Sequence, residues 1–206
     1  MENLKVKLII PLLFLWCFTV LAQNEVKIQE AFSESYKAEK SENYSSGISS
    51  LKAVYREDDY AVNVRLGWLF LLSTQYTESV SYYNKAINLK PDAIEARFGM
   101  IKVLNALESW DKVKEQYEAI LKIDPQNTTS LYWMGILLYN RKDFDNAARN
   151  FEKIVDLYPM DYGSVIMLAW TSLSQGKKSY AKVLFNHALL LYPNDVSATS
   201  GLNHLN

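Results

Sequence analysis

Cysteine is almost missing from this sequence. The one copy, Cys17, sits in an apolar stretch near the N-terminus, so a disulfide framework and a thiolate metal site are both excluded. Histidine is scarce too: His187 and His204 are the only two, far from the i, i+4 spacing that brings two imidazoles to one metal. The seven glycines are scattered and form no Gly-x-x-x-x-Gly-Lys phosphate cradle. Nor does one sign of charge dominate. With 22 basic and 23 acidic residues the formal net charge is −1, too little field to favour nucleic acid or an anionic membrane surface. An enzyme would have to work here without a thiol, a histidine cluster or a nucleotide site. The sequence therefore predicts a non-catalytic protein with no metal and no cofactor.

What the chain has is apolar material. Of 206 residues, 49% are hydrophobic and 22% charged, the make-up of an ordinary folded domain. The first segment, "MENLKVKLIIPLLFLWCFTVLAQNE", places Lys5 and Lys7 ahead of an apolar run reaching about Leu21, then Val20 and Ala22 at the spacing of a cleavage site. This predicts a secretory signal over residues 1–22, cut after Ala22, and a periplasmic or secreted mature protein with no stable membrane span. If uncleaved, the segment would serve as a membrane anchor. Cys17 follows Trp16 inside the run, which does not suit a lipidation site.

Proline is sparse and strictly placed. Outside the N-terminal segment it occurs only at Pro91, Pro125, Pro159 and Pro193, at intervals of 34 residues. Eight residues before each proline stands an aromatic residue, Tyr83, Tyr117, Phe151 and Phe185, and five before stands Ala86, Ile120, Ile154 or Ala188. Further back, Leu66, Met100, Met134 and Leu168 are each followed by Gly67, Ile101, Gly135 or Ala169, and Ser79, Val113, Ala147 and Ala181 stand twelve before the prolines. Self-similarity at this period marks a repeat array whose units cannot bury their apolar faces alone. Small residues let helices approach closely, so Gly135 and Ala147 are expected to touch across one helix pair.

On these residues the chain, from about Tyr60 to Asp195, resembles the tetratricopeptide repeat family. The resemblance implies an all-α fold, a right-handed α-solenoid of antiparallel helix pairs, about five of them plus a C-terminal capping helix. It divides the chain into a degenerate N-terminal repeat or cap over 23–59, repeats over 60–93, 94–127, 128–161 and 162–195, and a cap over 196–206. The first of these lacks its proline and slips by about two residues.

The resemblance also implies a concave face built by the first helix of each pair. Its inward positions are Val64 and Trp68, Phe98 and Lys102, Tyr132 and Ile136, Ile166 and Trp170, with Asn105 and Tyr139 further along and Arg65 and Trp133 beside the stripe. Lys102 is the only lysine among them, which speaks against the carboxylate-holding face of some family members. An aromatic-rich stripe suits a peptide or helix of a partner protein, anchored by Trp68, Tyr132, Tyr139 and Trp170. The same stripe could instead be core. Two further readings stay open: carbohydrate or cell-wall binding through rings beside Asn105, Asn140 and Arg65, and self-association through the terminal helix pairs.

Overall fold

Asparagine or aspartate caps the start of six of the described helices. A computed structural model describes residues 25–205, and the expected export signal over 1–22 lies outside them. Helix α1 occupies 25–40 of the described chain, followed by α2 (Tyr44–Ala53), α3 (Tyr60–Leu72), α4 (Tyr76–Leu89), α5 (Glu95–Ala106) and α6 (Trp110–Ile123). Then come α7 (Thr128–Asn140), α8 (Phe144–Leu157), α9 (Tyr162–Ser174), α10 (Lys178–Leu191) and α11 (Val196–Asn203). Asp59, Asn127, Asp161 and Asp195 precede α3, α7, α9 and α11, and each side chain accepts from the backbone N–H three residues on. The missing member of that series is Ala93, a residue with no capping oxygen, and α5 accordingly begins one residue late in the register, at Glu95. Ala93→Asp is expected to add the cap and raise stability by about 1 kcal/mol, read as a higher melting temperature; no rise would show that α5 is held by its packing alone.

Each hairpin turns through one left-handed residue. Glu42, Thr74, Glu108, Lys142 and Gly176 have φ of 57, 59, 52, 61 and 76°, and only the last is glycine. The hydrogen bonds repeat with them: Thr74 N–H donates to Leu71 and Gln75 N–H to Phe70, and the same pair recurs at Lys142 and Asp143 and at Gly176 and Lys177. This is the Schellman closure, which satisfies the last carbonyls of one helix while reversing the chain. Thr74 lies 32 residues after Glu42, whereas the later turns keep the 34-residue interval, which is the two-residue slip visible in the sequence.

The prolines act at the other end. Residues just before them, Lys90, Asp124, Tyr158 and Tyr192, have φ between −130 and −137° and ψ between 76 and 91°, so α4, α6, α8 and α10 all stop two residues short of the ring.

The chain divides into two compact units, one ending at Val103 and the other beginning at Leu104, with the boundary inside α5. In the first, Ala31, Ile48, Leu51, Val62, Leu66, Leu69 and Phe70 of α1, α2 and α3 form one buried cluster. The Tyr83 ring, 2% exposed, is admitted by two glycines: a Cβ would fall 3.0 Å from it at Gly67 and 2.2 Å at Gly99. In the second unit, consecutive helices from α6 to α11 pack on one another. There a Cβ at Gly201 would lie 2.2 Å from Phe185, and one at Gly135 would lie 2.6 Å from Phe151. The atoms nearest Gly135 thus belong to a ring rather than to Ala147, the residue expected from the sequence. Ala147 is itself fully buried on α8. Ile101 and Val113, large where the family prefers small residues, are buried in different units.

Candidate functional site

The described surface of the second unit holds a cleft of about 560 Å³ lined from three helices. Asn105 comes from the end of α5, Trp110, Val113 and Tyr117 from α6, and Trp133, Ile136, Leu137 and Asn140 from α7, with Arg141 just past its end. Local sequence places the walls. Trp110 is the first residue of α6, where a side chain has no preceding turn to pack on, and it is 51% exposed. Trp133 holds the register position that is glycine at Gly99 and Gly201, where glycine lets the neighbouring ring in. An indole cannot enter that space, so it turns outward and is 50% exposed. Val113 and Tyr117 are buried, Ile136 and Leu137 half-buried, and burial pushes the Tyr117 phenol up. Arg141 donates to Asp111 Oδ1 at 2.8 Å, which balances the one charge on the rim.

Of the residues singled out from sequence, Asn105 and Ile136 join this cleft. Tyr132 lies edge-on to Trp133 at 5.5 Å and to Phe151 at 5.9 Å, half-buried, and burial followed by the Asp161 charge raises its phenol. Tyr139 is half-buried against Phe144. Ile166 is buried in α9 and offers little to a ligand. Trp170 is half-buried, its ring 5.1 Å from Phe185 and its N–H donating to Ser197 Oγ at 2.8 Å.

The first unit gathers Arg65 and Trp68 into a polar cluster around Glu39. Arg65 is 6% exposed; it donates to Glu39 Oε2 and, at 2.9 Å, to Ser35 Oγ, and it stacks 3.8 Å from the Tyr36 ring. Trp68 N–H donates to Glu39 Oε1 at 2.9 Å, and the Lys102 ammonium lies 4.5 Å from the Trp68 ring. Burial pushes the Glu39 carboxyl up, but hydrogen bonds from Trp68 and Arg65 and the Arg65 charge outweigh it and leave the group below its usual range. Arg65 is therefore a buried structural cation, and Trp68 a ring already engaged on its edge and its face. Val64 and Phe98 are half-buried and Lys102 exposed. Trp110 and Arg141 were not found from sequence, because a reading confined to the first helices of each pair does not reach α6 or the turn after α7; Leu137 is on the first helix α7 but beside the stripe counted from the prolines. The signal available was the aromatic residue that recurs in register at the starts of α4, α6 and α8, Tyr76, Trp110 and Phe144.

Among the described residues no group of side chains is placed to hold a metal ion, and no helix is long and apolar enough to cross a membrane. Helix hairpins repeated at a fixed interval and closed by the same left-handed cap define the class: a helical-repeat protein. Residues 60–93 and 129–159 each match a model described as tetratricopeptide repeat. The chain is a tetratricopeptide repeat protein.

Solved structures of similar fold include a tetratricopeptide repeat protein from Parabacteroides merdae, 21% identical over 87% of this chain and 72% of that one, with a TM-score of 0.72. YrrB, described as a TPR protein with an unusual peptide-binding site, is 12% identical over 90% and 97% of the two chains at a TM-score of 0.69. MamA from Desulfovibrio magneticus RS-1 is 17% identical over 82% and 97%, at 0.66. At such identities the likeness is one of fold. No curated protein matches the chain.

Proposed function

We propose that this protein is an exported, non-catalytic interaction module that holds a segment of a partner protein in the cleft between α6 and α7. The observation that carries the reading is the cleft itself: two half-exposed indoles over an apolar floor, with the side-chain amides of Asn105 and Asn140 at its mouth. Large aromatic side chains at a partly desolvated pocket are the usual anchors of protein interfaces. The amides can each donate to a carbonyl and accept from an N–H, which matches the free backbone of an extended peptide. The rim carries one charge and it is already paired, so the partner segment is uncharged where it enters. The fold supports the same reading, since YrrB, similar in fold, is described as having a peptide-binding site.

The same rings beside Asn105 and Asn140 keep a carbohydrate reading in play. The floor of Val113, Ile136 and Leu137 argues against it, because sugar hydroxyls set on aliphatic groups would lose hydrogen bonds to water without replacement. The deciding experiment is photocrosslinking in the native host from a reactive amino acid placed at Asn140, with mass spectrometry of the trapped product. A defined protein segment, lost when Trp133 is also changed to alanine, is expected; trapped glycan would favour the second reading, and no trapped product would remove the cleft from consideration. Export is checked on the same material: a mature N-terminus at Gln23 is expected, and one at Met1 would replace the cleaved signal with an anchor.

A further inference from the structure

The second helices of the hairpins show their outer faces to solvent, and the 34-residue register allows those faces to be compared position by position. Where α10 has Val183, the earlier second helices α8, α6 and α4 have Arg149, Glu115 and Ser81. Where it has Leu190, they have Asp156, Lys122 and Asn88, and where it has Tyr180, they have Asn146, Lys112 and Glu78. Every one of those counterparts is exposed and polar, as the outer face of a repeat should be. On α10 alone the face is apolar and still exposed: Tyr180 is 42%, Val183 63% and Leu190 81% accessible. With half-buried His187 these residues stand at steps of three, four and three, the spacing of a seam between two helices.

Charge says which helix fits. The first turns of α4, α6 and α8 carry Glu78, Asp111 and Asp145, which complement the positive end of a helix, whereas α10 has no acid there and starts with Lys177 and Lys178. Neither lysine has an ion-pair partner among the described residues. The arrangement is unfavourable for α10 by itself and becomes favourable when a second helix end, rich in free carbonyls, lies alongside. An antiparallel copy of α10 supplies that end at both extremities by symmetry.

We propose that the protein forms an isologous dimer through α10, with the two helices antiparallel across the Tyr180, Val183, His187 and Leu190 stripe. The two-fold axis passes at the level of residue 185. Tyr180 then meets Leu190 of the partner subunit, and Val183 meets His187 of the partner subunit. This pairing uses a different helix from the α6–α7 cleft, so it stands or falls independently of the partner-binding role.

Sedimentation equilibrium of the protein over about a hundredfold concentration range tests it. The mass is expected to rise from one chain towards two and no further, because a two-fold interface closes on itself. Val183→Glu together with Leu190→Glu should leave a single chain at every concentration, with the helical content of the parent and the melting temperature that the parent shows when dilute enough to be a single chain. Geometry is read from disulfides in a Cys17→Ser background. Mixed Val183→Cys and His187→Cys chains should oxidise to a heterodimer, while either alone should crosslink poorly. A parent that sediments as one chain throughout, a double variant that still associates, or assembly beyond two chains would each overturn the proposal. So would ready crosslinking of Val183→Cys to itself, the mark of a parallel pair, or a stripe that binds a different protein while the chain stays monomeric.

Discussion

Gly99→Leu should be among the most damaging single changes in the first unit, lowering stability by about 2 to 3 kcal/mol. A Cβ at Gly99 would already lie 2.2 Å from Tyr83 Cε1 and 2.3 Å from Cζ, and the ring cannot retreat because Gly67 holds its other side at 3.0 Å. Two effects oppose one another. Glycine inside a helix costs roughly 1 kcal/mol of propensity, which leucine recovers, whereas overpacking a closed core costs about 1 to 3 kcal/mol and more when a rigid ring must move. The clash wins because Tyr83 is fully enclosed. The check is thermal melting of Gly99→Leu, of Tyr83→Leu and of the double variant. Removal of the ring should restore part of the loss, so the two changes should not add. Additive losses would mean that the leucine is accommodated elsewhere.

The second large effect concerns binding. Trp110→Ala and Trp133→Ala are each expected to weaken capture of the partner segment by about tenfold or more, the range of aromatic anchors at interface centres. Their melting temperatures should stay near the parent's, since half of each indole already faces water. Trp170→Ala should behave the other way. Its ring packs on Phe185 and its N–H is spent on Ser197, so truncation should cost about 3 kcal/mol of stability and leave binding intact. A binding titration beside a melt for each variant separates the two roles. If Trp133→Ala melts early and binds normally, the ring belongs to the core and the cleft is not the site.

These assignments differ from what the pattern of residues alone suggests, and the difference has a physical origin. The 34-residue interval was legible because it is set by covalent chemistry: proline bars the helical conformation at Lys90, Asp124, Tyr158 and Tyr192 wherever the chain meets it. The aromatic positions before the prolines were legible for a similar reason, since an apolar ring at a fixed helical step has one face to bury. The left-handed turns were not. Glu42, Thr74, Glu108 and Lys142 carry no local mark of positive φ, and only Gly176 does, so the hairpin geometry imposes that conformation on residues that would not choose it.

Nor could sequence rank the aromatic residues of one stripe. Trp68, Tyr132 and Trp170 share a helical phase with residues that line a surface, yet Glu39, Phe151 and Ser197, distant along the chain, bring partners to them. Trp110 and Trp133 remain half open because nothing in the second unit comes to cover them. By itself, then, the sequence determined the all-α class, the repeat length and the joints between hairpins, all consequences of nearest-neighbour backbone preference and apolar periodicity. Which rings are spent on the fold and which are left for a partner was decided only by tertiary structure, because exposure is a property of everything that packs around a side chain and not of its own place in the chain.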